Sequence, residues 1–309
     1  MSARHTAYLY LLLAMLGAGS TVVVSKLVSA SLPPFTATAL RFGMALPLFL
    51  LLMYWRRCGW PRPCRHDWLI LLLQAGAGSV GYTVLLLAGM RWSSAASAGV
   101  LMGTLPAVSG VLALLLFREG MHWRQGLALL LCSAGALAVS WPAEAMLSFR
   151  GSELAGNGLI LLAVVCEALF ILLNRRLHQP LPPLVLSTYL CGLGLLLALP
   201  AATLEWRGGW HVPTAALLGL AYYAALPTVL GFVLWYAGAA RVAAGEAALF
   251  SAVLPVSALL FAAGLLQEDI RRAQLLGMAC VLAALLLQVL PTLRQSKSLD
   301  AAAGAAGTK

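Results

Sequence analysis

The chain has 309 residues, 61% of them hydrophobic and only 10% charged, with a formal net charge of +10 and a mean hydropathy of +0.91. By length alone a soluble chain would hold about two domains, but many runs reach the roughly 20 apolar residues that a helix needs to cross a hydrocarbon core of about 30 Å, which excludes a soluble protein. The segments are too long for a β-barrel, and the basic residues crowd short loops such as Arg56, Arg57, Arg62 and Arg65, a sign of topology rather than of a nucleic-acid partner.

In chain order, the polar and Pro/Gly breaks predict an all-α polytopic membrane protein with ten spans: 7–28, 35–55, 68–90, 95–117, 123–141, 155–176, 183–204, 214–237, 244–266 and 272–292. The first run, at about 22 residues, exceeds the apolar region of a leader peptide and is read as a retained span. Spans this close leave no soluble domain between them, and the polar, small-residue tail 294–309 reads as disordered. With the N-terminus inside, thirteen Arg/Lys residues fall on the cytoplasmic side and six on the other, so both termini are expected in the cytoplasm of a bacterial-type inner membrane. Of the six cysteines, four lie in apolar runs; Cys58 and Cys64 share the basic loop without neighbours at zinc-site spacing, so neither a disulfide framework nor a metal site is expected.

The chain repeats itself. Pro33 and Pro34 return 149 positions on as Pro182 and Pro183, and the same offset carries Pro106 to Pro255, Glu119 to Glu268 and Gln125 to Gln274. Between them, Gly81 with Gly231 and Arg91 with Arg241 suggest a one-residue shift. Five spans per copy is an odd number, so the second copy enters the membrane from the opposite side. The expected domains are 1–146 and 147–293, two inverted five-helix repeats, an arrangement recurrent in secondary transporters with the site near the midplane between halves. Pro106 and Pro255 fall inside spans four and nine, where a proline removes a backbone hydrogen bond and kinks the helix. Glu119 and Glu268 stand at the ends of those spans, where the carboxylate is expected to fix the turn into the following helix.

The frame PPF…R, then S-x-x-S-A-G-V-L…P, then RE…Q-G, repeated with variations, resembles the EamA-type transporters of the drug/metabolite transporter superfamily, and the likeness covers nearly the whole chain. It implies a ten-helix transporter with a central cavity that moves small metabolites or amino acids, often outward. The family often has an arginine at the place of Arg41, as helix anchor or as substrate contact, and commonly an aromatic residue where this chain has Glu167.

Function is sought among polar residues inside spans that no topological rule explains. Arg41 lies about two turns into span two, and its repeat mate is Leu190; anchor and ligand readings stand level. Glu167 is central in span six, opposite Ala18, and suits a proton-coupling group or a ligand for an ammonium; the plainer reading is a carboxyl hydrogen-bonded to Asn174 or a hydroxyl. Gln74 and Tyr82, eight apart, are expected on one face of span three, and Tyr222, Tyr223, Trp235 and Tyr236 give span eight an aromatic cluster. Tyr223 matches Gln74 in the repeat, so the two are expected as opposed cavity walls. Glu246 at the start of span nine reads as first-turn stabilisation with substrate contact left open.

No catalytic cluster, phosphate loop or calcium loop is present, so neither an enzyme nor a cofactor is expected. The expected function is alternating-access transport, outward, of an amino acid or related amphipathic solute, with proton linkage as an option. Arg41 would meet a carboxylate and Glu167 an ammonium. The alternatives are efflux of lipophilic cations or multiple drugs, a nucleotide-sugar carrier, for which one intramembrane arginine is few, and a membrane enzyme or lipid-handling protein, which would need a polar cluster at one surface. The expected partners are a small-molecule substrate and the bilayer, with a homodimer left open.

Overall fold

A lipid-facing backbone must satisfy its own polar groups, so a chain of this composition is confined to helices. The computed structural model describes residues 3–117, 123–140, 151–206, 212–242, 247 and 250–287; no strand occurs among them. The helices are α1 (Ala3–Ser29), α2 (Pro34–Trp55), α3 (Arg65–Met90), α4 (Ala95–Met102), α5 (Leu105–Phe117), α6 (Trp123–Ser140), α7 (Gly151–Asn174), α8 (Pro183–Trp206), α9 (Thr214–Ala239), α10 (Val253–Leu266) and α11 (Arg272–Leu287).

Six of these, α1, α2, α3, α7, α8 and α9, are long and apolar enough to cross a membrane, and α4 with α5 passes the same test as a pair bent by 43°. The apolar stretches Gly126–Val139, Val253–Leu266 and Arg272–Leu287 are shorter within the described residues. The break between α4 and α5 comes before Pro106, which is the second residue of α5, and Pro255 is likewise the third residue of α10. Both prolines thus open a helical segment, where the missing N–H is one the helix does not use, rather than interrupting one from within. Glu119 and Glu246 lie outside the described residues.

Apolar side chains give little drive for association in lipid, so contact depends on close approach of small residues. A Cβ on Gly89 would stand 2.7 Å from the carbonyl oxygen of Gly156, and one on Gly156 would stand 2.9 Å from that of Gly89, which brings α3 onto α7. The counterpart contact is α9 on α1, where a Cβ on Gly238 would stand 3.0 Å from Ala7 O. Gly238 and Gly156 are each 149 positions beyond Gly89 and Ala7, so the offset holds through this region without the one-residue shift. α2 packs on α8 around the buried Ala39, Phe42, Ala45, Cys191 and Ala198. There a Cβ on Gly43 would lie 4.0 Å from Leu195 Cδ1 and one on Gly192 3.8 Å from Leu46 Cδ1, a reciprocal pair at matched positions.

α3 and α9 share a further feature. Each carries a seven-residue π-helical stretch, Ala75–Gly81 and Ala224–Leu230, again 149 positions apart. Such bulges shift the register of everything beyond them and recur at functional sites.

Candidate functional site

The polar groups of the apolar helices converge where α2, α3, α7 and α9 approach one another. Arg41 is directed into the bundle: its Nη1 donates to Thr83 Oγ1 at 3.0 Å, and its guanidinium carbon lies 4.1 Å from the centroid of the Tyr223 ring. Thr83 and Tyr223 are both buried. A guanidinium on a desolvated aromatic face is stabilised by about 2 kcal/mol. Thr83, just past the first π stretch, donates to Ser79 O at 2.7 Å within it. The buried Nε of Arg41 has no hydrogen-bond partner among the described residues.

Tyr82 is half-buried and lies within electrostatic reach of Tyr223, Glu167 and Arg41. Glu167 is half-buried on α7, close enough to Arg41 for the two charges to interact. The two form no ion pair, and Glu167 accepts no hydrogen bond from any described residue, Asn174 included. The group therefore holds one cation and one carboxyl, separated, each with bonding capacity that the described residues do not fill.

Of the other expected site residues, Gln74 goes elsewhere. It is fully buried, and its amide donates to Phe170 O at 3.0 Å, tying α3 to α7. The π stretch that begins at the next residue separates its register from that of Tyr82, so the two are not equivalent positions on one helical face. Gln74 and Tyr223 are thus not a facing pair in kind: one locks two helices, the other supports Arg41. Tyr222 shares a 2.7 Å hydrogen bond with Ser20, joining α9 to α1. Trp235 is half-buried and makes no hydrogen bond or ring contact to another described residue.

Glu268 reaches across the molecule. Its two carboxylate oxygens accept from the backbone N–H groups of Ala95 and Ala96, each at 3.0 Å, so it caps the start of α4 in the other half rather than the helix that follows it. Gln274 completes the cap, donating to Ser94 Oγ and Ser97 Oγ at 3.1 Å. A carboxylate at exposed helical N–H groups satisfies orphan donors and complements the helix dipole. The sequence does not reveal the same device in Glu205, which accepts from Thr36 N at 2.7 Å, or in Lys26 and Arg91, which donate to Met90 O and Ser29 O at the carbonyl ends of α3 and α1. Glu268 and Gln274 also border an open pocket of about 300 Å³ at this end of the bundle, lined as well by Lys26, Ser94, Glu153, Asp269 and Arg271.

Comparison with known proteins agrees with this arrangement of helices. The chain is 34% identical over 286 residues to YetK of Bacillus subtilis, an uncharacterized transporter, with 92% of this chain and 87% of that one covered. It is 26% identical over 228 residues to a probable terminal-alkyne amino-acid exporter of Streptantibioticus cattleyicolor, covering 73% and 74% of the two chains. A solved crystal structure superposes with a TM-score of 0.66 at 19% identity over 94% of this chain and 99% of the other, a likeness of fold. The sequence model of the EamA-like transporter family matches twice, over residues 5–141 and 154–290. The chain is a multi-pass membrane protein and belongs to the EamA-like transporter family.

Proposed function

We propose that this transporter moves a small zwitterionic metabolite, an amino acid or a related amphipathic solute, outward across the inner membrane by alternating access, with Glu167 linking the movement to protons. The observation that carries the reading is the pair Arg41 and Glu167: opposite charges in one group, not paired with each other, with Arg41 Nε and the Glu167 carboxyl lacking hydrogen-bond partners among the described residues. A zwitterion offers a carboxylate to the first and an ammonium to the second. Tyr82 and Tyr223 add aromatic faces. A relative named as a probable amino-acid exporter is in keeping with this class of solute. The same Arg41 disfavours a lipophilic cation, which would gain from Glu167 and the aromatics but suffer the guanidinium beside them. No enzymatic step is proposed.

The proposed frame is ten helices in two inverted repeats, residues 1–146 and 147–293, with both termini cytoplasmic. Its support is the reciprocity of the packing: α2 meets α8 through matched glycines and leucines, α3 on α7 mirrors α9 on α1, and the π stretches stand at one offset. Reciprocal contacts of this kind are what a two-fold relation between the halves produces. The reading is tested by profiling metabolites released by cells with and without the protein, then measuring counterflow of the leading solute in proteoliposomes. Counterflow of an amino acid or similar zwitterion is expected; counterflow of lipophilic cations alone overturns it.

A further inference from the structure

At the end of the bundle opposite the Glu268 cap, the loop before α3 meets the end of α7. Three side chains from two distant parts of the chain come together there. Cys64 Sγ lies 3.8 Å from His178 Nδ1, Asp67 Oδ1 lies 3.6 Å from the same nitrogen, and one ligand atom from each residue falls within 4.8 Å of the other two. We propose that Cys64, Asp67 and His178 form a binding site for a borderline-soft divalent metal ion of the zinc class, which joins the start of α3 to the end of α7.

The geometry suits such an ion. Zinc bonds of about 2.0–2.3 Å in a tetrahedral site set the ligand atoms about 3.3–3.7 Å apart; the two separations to His178 Nδ1, 3.6 and 3.8 Å, need only a small contraction, and the third, between Cys64 and Asp67, is within 4.8 Å. The site is pre-organised: Asp67 is buried, and its Oδ1 accepts the backbone N–H of His178 at 2.9 Å, which holds that histidine against the carboxylate. The ring of His66 lies 4.1 Å from that of His178 and walls one side. Cys64 and His178 are exposed, so an ion and a fourth, water ligand have access.

Ligand chemistry selects the ion. A thiol, an imidazole and one carboxylate favour zinc-like metals over magnesium or calcium, which take oxygen ligands. On binding, the Cys64 thiol loses its proton to solvent and forms the metal–sulfur bond. Thiolate and carboxylate together then neutralise the dication, so the occupied site is itself uncharged. Because α3 and α7 lie on either side of the chain's midpoint, the bound ion would staple the two halves at this end. The inference stands apart from the proposed substrate, since it uses none of the residues around Arg41.

The test uses full-length protein purified without a polyhistidine tag, titrated with Zn²⁺ by calorimetry and with Co²⁺ by absorption. Wild type is expected to bind a single ion, to show a thiolate-to-cobalt charge-transfer band and to melt at a higher temperature with Zn²⁺ present. Cys64→Ser and His178→Gln, both at exposed positions, should each weaken binding by at least about tenfold, since even outer-shell partners are worth that much. Cys58→Ser, in the same loop, should leave binding unchanged. Binding that survives Cys64→Ser, a cobalt spectrum without the thiolate band, or the absence of stoichiometric uptake by wild type overturns the proposal.

Discussion

The two halves differ most where they match best. α2 and α8 cross through reciprocal contacts, Gly43 with Leu195 and Gly192 with Leu46, and Cys191 Sγ reaches the carbonyl of Phe42, its counterpart, at 3.5 Å. One residue before that crossing, the first half has Arg41 and the second has Leu190. Glu167 on α7 has Ala18 as its mate on α1. The backbone frame is thus shared while its charges are not. Packing conserves volume and close approach at both copies, whereas a single solute lying between them needs each pole of charge only once.

The comparison breaks most sharply if the asymmetry is erased. Arg41→Leu gives the first half the residue that the second already has. Flux in proteoliposomes is expected to fall by on the order of tenfold to hundredfold, the worth of a charge-assisted contact at about 1.5–3 kcal/mol. Undiminished flux would detach Arg41 from the solute.

A smaller effect is expected where the frame itself differs. Gly156 corresponds to Ala7, yet a Cβ on Gly156 would lie 2.9 Å from Gly89 O and 3.0 Å from Ser93 N, both backbone atoms. Gly156→Ala should lower stability by about 1–3 kcal/mol through overpacking, measured as a lower melting temperature in detergent. Ala7→Gly should cost less, and equal losses at the two sites would contradict the contacts described. Glu268→Ala removes both acceptors from the start of α4 and should cost about 1–2 kcal/mol, with Glu268→Gln recovering part of it. The smallest change is expected from Tyr222→Phe, which deletes the hydrogen bond to Ser20 and should cost about 0.5–1.5 kcal/mol.

Much of this was readable from residues alone. Apolar length marked the long helices, and polar residues without a topological reason marked Arg41, Glu167, Tyr82 and Tyr223, which the fold brings near one another. What was not readable depends on partners far apart in sequence. Glu268 was expected to serve the helix after it, but its acceptors face α4, more than 170 positions away. Asp67 and His178 are 111 positions apart, so no local spacing could reveal their meeting. Gln74 escapes a helical wheel for a different reason: the wheel assumes an unbroken α-helix, and the π stretch at Ala75–Gly81 removes that assumption. Nor did composition separate a proline inside a span from one that opens a half-helix, as Pro106 does.

The central claim is that the unpaired acid of the second half works with the unmatched arginine of the first. The pH profile of solute flux in proteoliposomes, compared between wild type and Glu167→Gln, tests it most directly. Glutamine cannot gain or lose a proton, so the account predicts flux that varies with pH in wild type and is flat in the variant. A variant profile that follows the wild type would contradict it.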